Sequence, residues 1–364
     1  MEMIKVLMLV SNLRAANGVA SFAINYYKNL DHSKVQMDFA LYSDRESTYY
    51  SLIEDCGGKI FVLPSIKKMP EHIKACNEIL EHGAYDVIHD NTLHISIPMM
   101  WCAKRKGVPV RILHSHNSKM GETHAKELRN KMLLPVLRSQ ATDYAACSQL
   151  AGHAMFGKHK FTVIPNVIQT DKYRFDPVIR KRVRQDMSVQ DKLIVGTVGR
   201  LAEQKNPFFA VDVFTHLLKD LPDAEYWWIG SGPLQEKVKD YVEEKNLSDR
   251  VKLLGSRNDV LELYQGMDVF FLPSLFEGLP LTGIEAQAMG LPMVVSGTVT
   301  DEMVYTDLVD YIALDAPVEV WVEHLKKALS CNVERTKYIH ELERSKFSNA
   351  GCGKKLIEIY RKML

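Results

Sequence analysis

The feature that most constrains this chain is an alternation that begins twice. Short apolar runs rich in β-branched residues fall at 4–10, 37–41, 60–63, 87–89, 110–113, 144–147 and 161–164, separated by amphipathic stretches such as 19–30, 71–82 and 94–106. Brief runs without polar alternation read as strands buried on both faces, and the stretches between them are long enough for crossover helices. The pattern restarts with runs at 193–199, 226–230, 251–254, 269–272 and 293–296, and helices near 207–219, 234–245, 260–266 and 281–289. This order predicts an α/β chain of two doubly wound, Rossmann-like domains.

The 364 residues suffice for two buried cores. We place the boundary in 165–171, where a strand ends in Ile-Pro-Asn and a polar stretch begins, giving domains 1–168 and 169–349. The segment 350–364 reads as an amphipathic helix with Leu356, Ile359, Tyr360 and Met363 on one face. Pattern alone leaves open which domain it covers; a return to the first is the working expectation.

A formal net charge of +1 is too small to hold the whole molecule on nucleic acid or anionic lipid, and no nucleic-acid partner is expected. The charge is divided, however: 20 Lys/Arg against 15 Asp/Glu in 1–170, and 26 against 30 in 171–364. No segment approaches the ~18 uninterrupted apolar residues of a membrane span. Cys56, Cys76, Cys102, Cys147, Cys331 and Cys352 are scattered, with neither a CxxC nor a metal-type Cys/His spacing. With no signal-peptide pattern at residue 1, these features suggest a reducing, cytoplasmic setting and no bound metal.

Ligands of open α/β sheets bind beyond the strands' carboxyl ends, so the residues that follow each strand carry the functional argument. The first run is followed by Ser11 to Gly18, which lacks GxGxxG; a helix starting at Gly18 could still face a polar ligand, or the segment is a plain loop. The run at 110–113 leads into His114-Ser115-His116-Asn117, placing imidazoles where they could donate to a sugar hydroxyl or a developing charge. In the second half, Arg200 and Lys205 precede a helix opening near Pro207, an arrangement suited to a diphosphate. Glu277 and Glu285 stand eight apart, one in a Gly/Pro-bearing loop and one about a turn into the following helix. Together with the amides of Gly278, Leu279 and Leu281 they could offer acceptors to sugar hydroxyls and donors to phosphate. The helix dipole would account for Glu285 but leaves Glu277 without a role. Gly230 and Gly232 allow a close backbone approach after another strand, or a tight turn, and Leu254, Arg257 and Asn258 follow a further one.

Arg200-x4-Lys205, Gly230-Ser231-Gly232-Pro233 and Glu277-x7-Glu285, in this order, resemble the retaining glycosyltransferases of family 4, whose GT-B fold sets two Rossmann-like domains facing across a cleft. His114-Ser115-His116-Asn117 is similar to the branch that builds bacterial capsular and extracellular polysaccharide. The resemblance implies an acceptor-binding first domain and a second domain that binds a nucleotide-sugar donor, commonly a UDP-sugar. It implies that Glu285 binds the ribose hydroxyls and Glu277 the transferred sugar. Arg200 and Lys205 would hold the diphosphate in place of a metal, His114 would be the cleft histidine in preference to His116, and Leu254, Arg257 and Asn258 would surround the base. Two departures are the single glycine, Gly18, in the first-strand loop and Val167 after Asn166.

The implied acceptor is a saccharide or a lipid-linked sugar. Between residues 104 and 138 there are nine Lys/Arg against two Asp/Glu, with Leu128, Met132, Leu133 and Leu137 on the amphipathic segment 123–138. Such a segment suits peripheral contact with an anionic membrane, at its inner face for a cytoplasmic protein; equally it is a solvated surface. Rival readings are a sugar-nucleotide epimerase on the same fold and a non-catalytic nucleotide-sugar-binding subunit.

Overall fold

A computed structural model describes residues 3–14, 17–43, 47–121 and 124–364. Ala15 and Ala16 of the first-strand loop, and Thr123 at the head of the basic segment, lie outside the described residues. The chain forms two compact units, Met1–Val167 with Asn349–Leu364, and Ile168–Ser348.

In the first unit the strands are β1 (Ile4–Val10), β2 (Val35–Leu41), β3 (Ile60–Val62), β4 (Val87–Asp90), β5 (Val110–Ser115), β6 (Asp143–Ala146) and β7 (Thr162–Val163). Helices α1 (Gly18–Tyr27), α2 (Tyr49–Asp55), α3 (Met69–Gly83), α4 (Ile97–Arg105), α5 (His124–Arg138) and α6 (Gln149–Phe156) connect them. Strand order is β3-β2-β1-β4-β5-β6-β7 and the pairings are parallel. The direction of strand addition therefore reverses between β1 and β4. The stretch 94–106, expected as one helix, instead starts as a 3-10 turn at Leu93–Ser96, and α4 begins at Ile97 with Pro98 in its first turn. Leu93 opens that turn at φ 60°, a left-handed conformation unfavourable for a branched side chain.

The second unit holds α7 (Pro177–Asp186), β8 (Ile194–Val198), α8 (Pro207–Asp220), β9 (Glu225–Ile229), α9 (Gln235–Glu244), β10 (Val251–Gly255) and α10 (Val260–Gly266). It continues through β11 (Val269–Leu272), α11 (Leu281–Ala288), β12 (Met293–Ser296), β13 (Val309–Ile312), α12 (Val318–Ser330) and α13 (Tyr338–Arg344). Its parallel sheet runs β10-β9-β8-β11-β12-β13, reversing between β8 and β11. Edge strand β13 was not expected from the sequence: Asp310 interrupts its short apolar run, and an edge tolerates that.

The last helix, α14 (Cys352–Met363), belongs to the first unit and packs on α1. Leu356 and Tyr360 are fully buried in one core with Val6, Met8, Phe22 and Phe39, while Ile359 and Met363 pack on its margin. Close approach depends on Gly353, where a Cβ would stand 1.8 Å from Asn29 O. Burying a side chain as large as Leu356 contributes about 2 kcal/mol.

Candidate functional site

At the second unit's switch point, the exits of β8 and β11 converge. The β8 exit is tied to its neighbours: Trp228 Nε1 donates to Gly199 O at 2.9 Å, and Leu201 N donates to Ser231 O at 3.3 Å. Lys205 ends a 3-10 turn (Glu203–Lys205), and Asn206 adopts φ 55° before Pro207 opens α8. This turn leaves the Lys205 stem against Gly199, where a Cβ would come within 2.9 Å of Lys205 Cε.

Lys205 Nζ lies 2.6 Å from Glu277 Oε1 on the β11 exit, with the lysine side chain 13% and the glutamate side chain 8% exposed. Gln204 Nε2 donates at 3.1 Å to both Glu277 Oε2 and Phe276 O, while Leu275 N donates to Gln204 O at 2.8 Å. A carboxylate so buried is tolerable because an ammonium and an amide face its two oxygens. Glu285, in the second turn of α11, accepts from Tyr173 Oη at 2.7 Å and Tyr264 Oη at 2.9 Å, one phenol on each oxygen. Burial raises its pKa above the ordinary carboxylate value, opposed by the two phenols and the charge of Lys205. The same lysine thus acts on both acids.

No side chain caps α11, whose N-cap is Pro280, and its first amides lack acceptors within the helix. Leu281 is buried there; Thr282 Oγ1 and Ser274 Oγ nearby are buried without hydrogen-bond partners. Gly278 and Leu279 line the β11 exit as buried residues, and Arg200 is exposed on the β8 exit. Polar groups of both signs therefore surround one strand-end region.

The remaining second-unit residues have clear local roles. A Cβ on Gly230, at φ 131°, would lie 2.2 Å from Gly199 O, and one on Gly232 would lie 2.2 Å from Leu201 O. The close approach that these glycines permit is to the chain's own β8 exit. Arg257 is paired with Asp259 at 2.5 Å on the surface, beside exposed Asn258 and half-buried Leu254. In the first unit, Gly18 has open space where a Cβ would stand, and Asn17 Oδ1 accepts from Val19 N and Ala20 N, satisfying two first-turn amides of α1.

The first unit's switch point carries a different set of groups. Strand register pairs His89 with Ile112, so His89, Asn91, His114 and His116 share the face covered by α1 and α14. His89 Nδ1 meets Tyr360 Oη at 2.8 Å and His89 Nε2 meets His114 Nδ1 at 2.8 Å. The rings of His114 and His116 stack at 4.1 Å, with Phe22 edge-on to both. His114, inside β5, is 1% exposed and its Nε2 is buried without a partner; His116, just beyond β5, is half-buried. Burial pushes His89 and His116 down to about 3 and His114 well below its ordinary value, so all three are neutral. Asp90 accepts from Thr92 N and Thr92 Oγ1 at 2.8 Å and from Ser96 Oγ at 2.5 Å, and burial raises it to about 6.

Sequence reading missed Tyr173, Gln204 and Tyr264 around the acids, and His89, Asn91 and Tyr360 around the histidines. The two-residue spacings of His114/His116 and of His89/Asn91 each signal a shared strand face; nothing local connects the remaining residues. Among the described residues no group of three or more His, Cys, Asp or Glu side chains could hold a metal ion.

Comparison with known proteins agrees with this architecture. Residues 179–345 match the family model described as glycosyl transferases group 1. The chain is 30% identical over 338 residues to a putative glycosyltransferase, EpsF, of Bacillus subtilis (strain 168), covering 89% of this chain and 88% of that protein. It is also 30% identical over 232 residues to an Escherichia coli UDP-Gal:α-D-GlcNAc-diphosphoundecaprenol α-1,3-galactosyltransferase, covering 60% and 59% of the two chains. The crystal structure of Anabaena Alr3699/HepE with UDP-glucose shares the fold, with a TM-score of 0.80 at 17% identity over 99% of this chain and 100% of that one. The match along most of the EpsF chain extends the relationship beyond the second unit, and the chain belongs to the group 1 glycosyl transferases, with two Rossmann-like domains of the GT-B type.

Proposed function

We propose that this glycosyltransferase moves a sugar, with retention of anomeric configuration, from a UDP-sugar to a saccharide or lipid-linked acceptor in bacterial capsular or extracellular polysaccharide synthesis. The observation that carries this reading is the Lys205–Glu277 pair beside Glu285 at the second unit's switch point. Lys205 and Arg200 hold the diphosphate and stabilise the charge that grows on it as the glycosidic bond breaks, without a metal ion. Glu285, steadied by two phenols, accepts from ribose hydroxyls, and Glu277 contacts the transferred sugar. The acceptor oxygen bonds to the anomeric carbon on the face from which the diphosphate leaves, and its proton passes to a leaving phosphate oxygen. The donor class is supported by the relatives: one is named for UDP-Gal transfer, and Anabaena HepE was crystallised with UDP-glucose.

Of the first unit's histidines we assign the ligand contact to half-buried His116, in place of the His114 that the resemblance implies, because His114 is 1% exposed and stacked behind it. The exposed stripe of Leu128, Met132 and Val136 on α5, among Arg129 and Lys131, supports peripheral contact with an anionic bilayer. Sedimentation with phosphatidylglycerol vesicles should capture the wild type and lose Leu128→Ser/Met132→Ser; equal capture of both would remove that contact.

Calorimetric titration with UDP, GDP and ADP tests the donor site. UDP should bind, and Glu285→Ala should weaken it by about tenfold. Absence of any nucleotide binding would refute the site assignment, and conversion of a UDP-sugar to its epimer without acceptor would refute transfer as the reaction. Turnover unchanged by a chelator is the expected result for a metal-independent enzyme.

A further inference from the structure

Hydrogen bonds at the carboxyl ends of β4 and β5 determine which nitrogen of His116 carries a proton. Asn91 Nδ2 lies 3.1 Å from Leu9 O and 3.2 Å from His89 O, two acceptors that require the amide nitrogen on their side. The amide oxygen therefore faces His116 Nε2, at 2.7 Å. Because that oxygen can only accept, Nε2 is the protonated nitrogen. In a neutral ring Nδ1 then bears a lone pair, and no described protein group bonds to it. Behind it a second chain of contacts joins Tyr360 Oη to His89 Nδ1 at 2.8 Å and His89 Nε2 to His114 Nδ1 at 2.8 Å, and ends at His114 Nε2, which is buried without a partner.

We propose that Asn91 is a positioning residue that makes His116 Nδ1 a hydrogen-bond acceptor, so that this end of the first unit takes a ligand hydroxyl and rejects a carboxylate or phosphate oxygen at the same point. A lone pair facing an oxyanion gains no hydrogen bond and is repelled, whereas a hydroxyl supplies the missing proton. The chemical class selected is a neutral, hydroxyl-bearing group, as in a sugar. This inference rests on the transferase reading for its ligand, while the tautomer itself rests on the geometry alone.

Nitrogen-15 spectra of the histidines in the full chain test the tautomer without requiring activity. His116 should show a pyridine-like Nδ1 and a pyrrole-like Nε2, unchanged from about pH 5.5 to about 8, and Asn91→Ala should give mixed tautomers. A protonated Nδ1 in the wild type, or an unaltered tautomer in Asn91→Ala, would overturn the assignment. The ligand role is tested by two replacements. His116→Gln keeps an amide N–H for Asn91 but removes the acceptor; His116→Asn places an amide oxygen near the Nδ1 position. Transfer by His116→Gln should fall about tenfold in kcat/KM, with UDP binding unchanged, and His116→Asn should retain more activity. Equal activity of the Gln variant and the wild type, or no advantage of Asn over Gln, would refute the hydroxyl subsite. If the wild type neither binds nucleotide nor transfers sugar, the transferase reading fails, and the spectra still decide the tautomer.

Discussion

The two units present the same topological feature, a reversal of strand order, furnished with opposite chemistry. At β8/β11 the groups are charged: a lysine paired with buried Glu277 and acting on half-buried Glu285, with an arginine on the same exit. On the face at the ends of β4 and β5 shared by His89, Asn91, His114 and His116 they are neutral: stacked imidazoles, an amide and a tyrosine phenol. A charged site acts through a field that strengthens as water is excluded, which suits a diphosphate whose charge increases during reaction. A neutral site acts through the direction of each N–H and lone pair, which suits recognition of hydroxyls. One architecture supports both because a parallel sheet delivers loops to the switch point without specifying their side chains.

Removing the cation should break the contrast most sharply. Lys205→Ala is expected to lower kcat by about 100-fold or more, and to weaken UDP binding much less, since its interaction grows as the bond breaks. Losses of equal size in kcat and in UDP affinity would make Lys205 a ground-state binding group only. Lys205→Arg, measured alongside, reports whether charge alone suffices.

Acid should destabilise the first unit through its neutral histidines. Their folded pKa values lie below the unfolded value near 6.5, at about 3 for His89 and His116. The unfolded chain therefore binds more protons, and stability present above pH ~6.5 is lost as pH falls. Each such histidine contributes a slope of up to about 1.4 kcal/mol per pH unit. Asp90, raised to about 6, works in the opposite sense, losing stability as pH rises from its unfolded value toward 6. Urea denaturation should show stability falling from pH ~7 to ~5, and His116→Gln should make the fall shallower. A flat profile would mean that these imidazoles titrate normally.

Smaller changes sharpen the description of each acid's surroundings. Tyr264→Phe removes one of the hydrogen bonds that hold Glu285 ionised, so UDP affinity should fall about threefold to tenfold, most at low pH. An unchanged affinity would assign that phenol to the core alone. Arg257→Ala should alter UDP affinity by about twofold or less, because its partner Asp259 already engages it at the surface. A loss as large as that of Glu285→Ala would instead place Arg257 in direct contact with the nucleotide.

Much of this was legible in the chain because strand and helix periodicities are local. The runs at 4–10 and 269–272 became β1 and β11 without adjustment of their limits, and Glu277 and Glu285 fell on the loop and the helix expected for them. The limits of local reading are equally specific. Asp310 concealed β13, and Pro98 with the left-handed Leu93 divided a single expected helix into a turn and α4. Gly230 and Gly232 read equally well as ligand contacts or tight turns; only the packed structure shows that the space a side chain would need is occupied by Gly199 O and Leu201 O.

By itself the sequence determined the fold class, the two rounds of α/β alternation and the charged residues that follow β8 and β11, since each depends on neighbours a few positions away. Tertiary structure alone decided that Lys205 faces Glu277, that Tyr173 and Tyr264 share Glu285, and that Tyr360 of the last helix reaches His89. These partners are brought together by strand order, register and close helix contact, and the protonation of the imidazoles follows from those long-range contacts. A histidine's letter states that it can donate or accept; its packed neighbours decide which nitrogen does either.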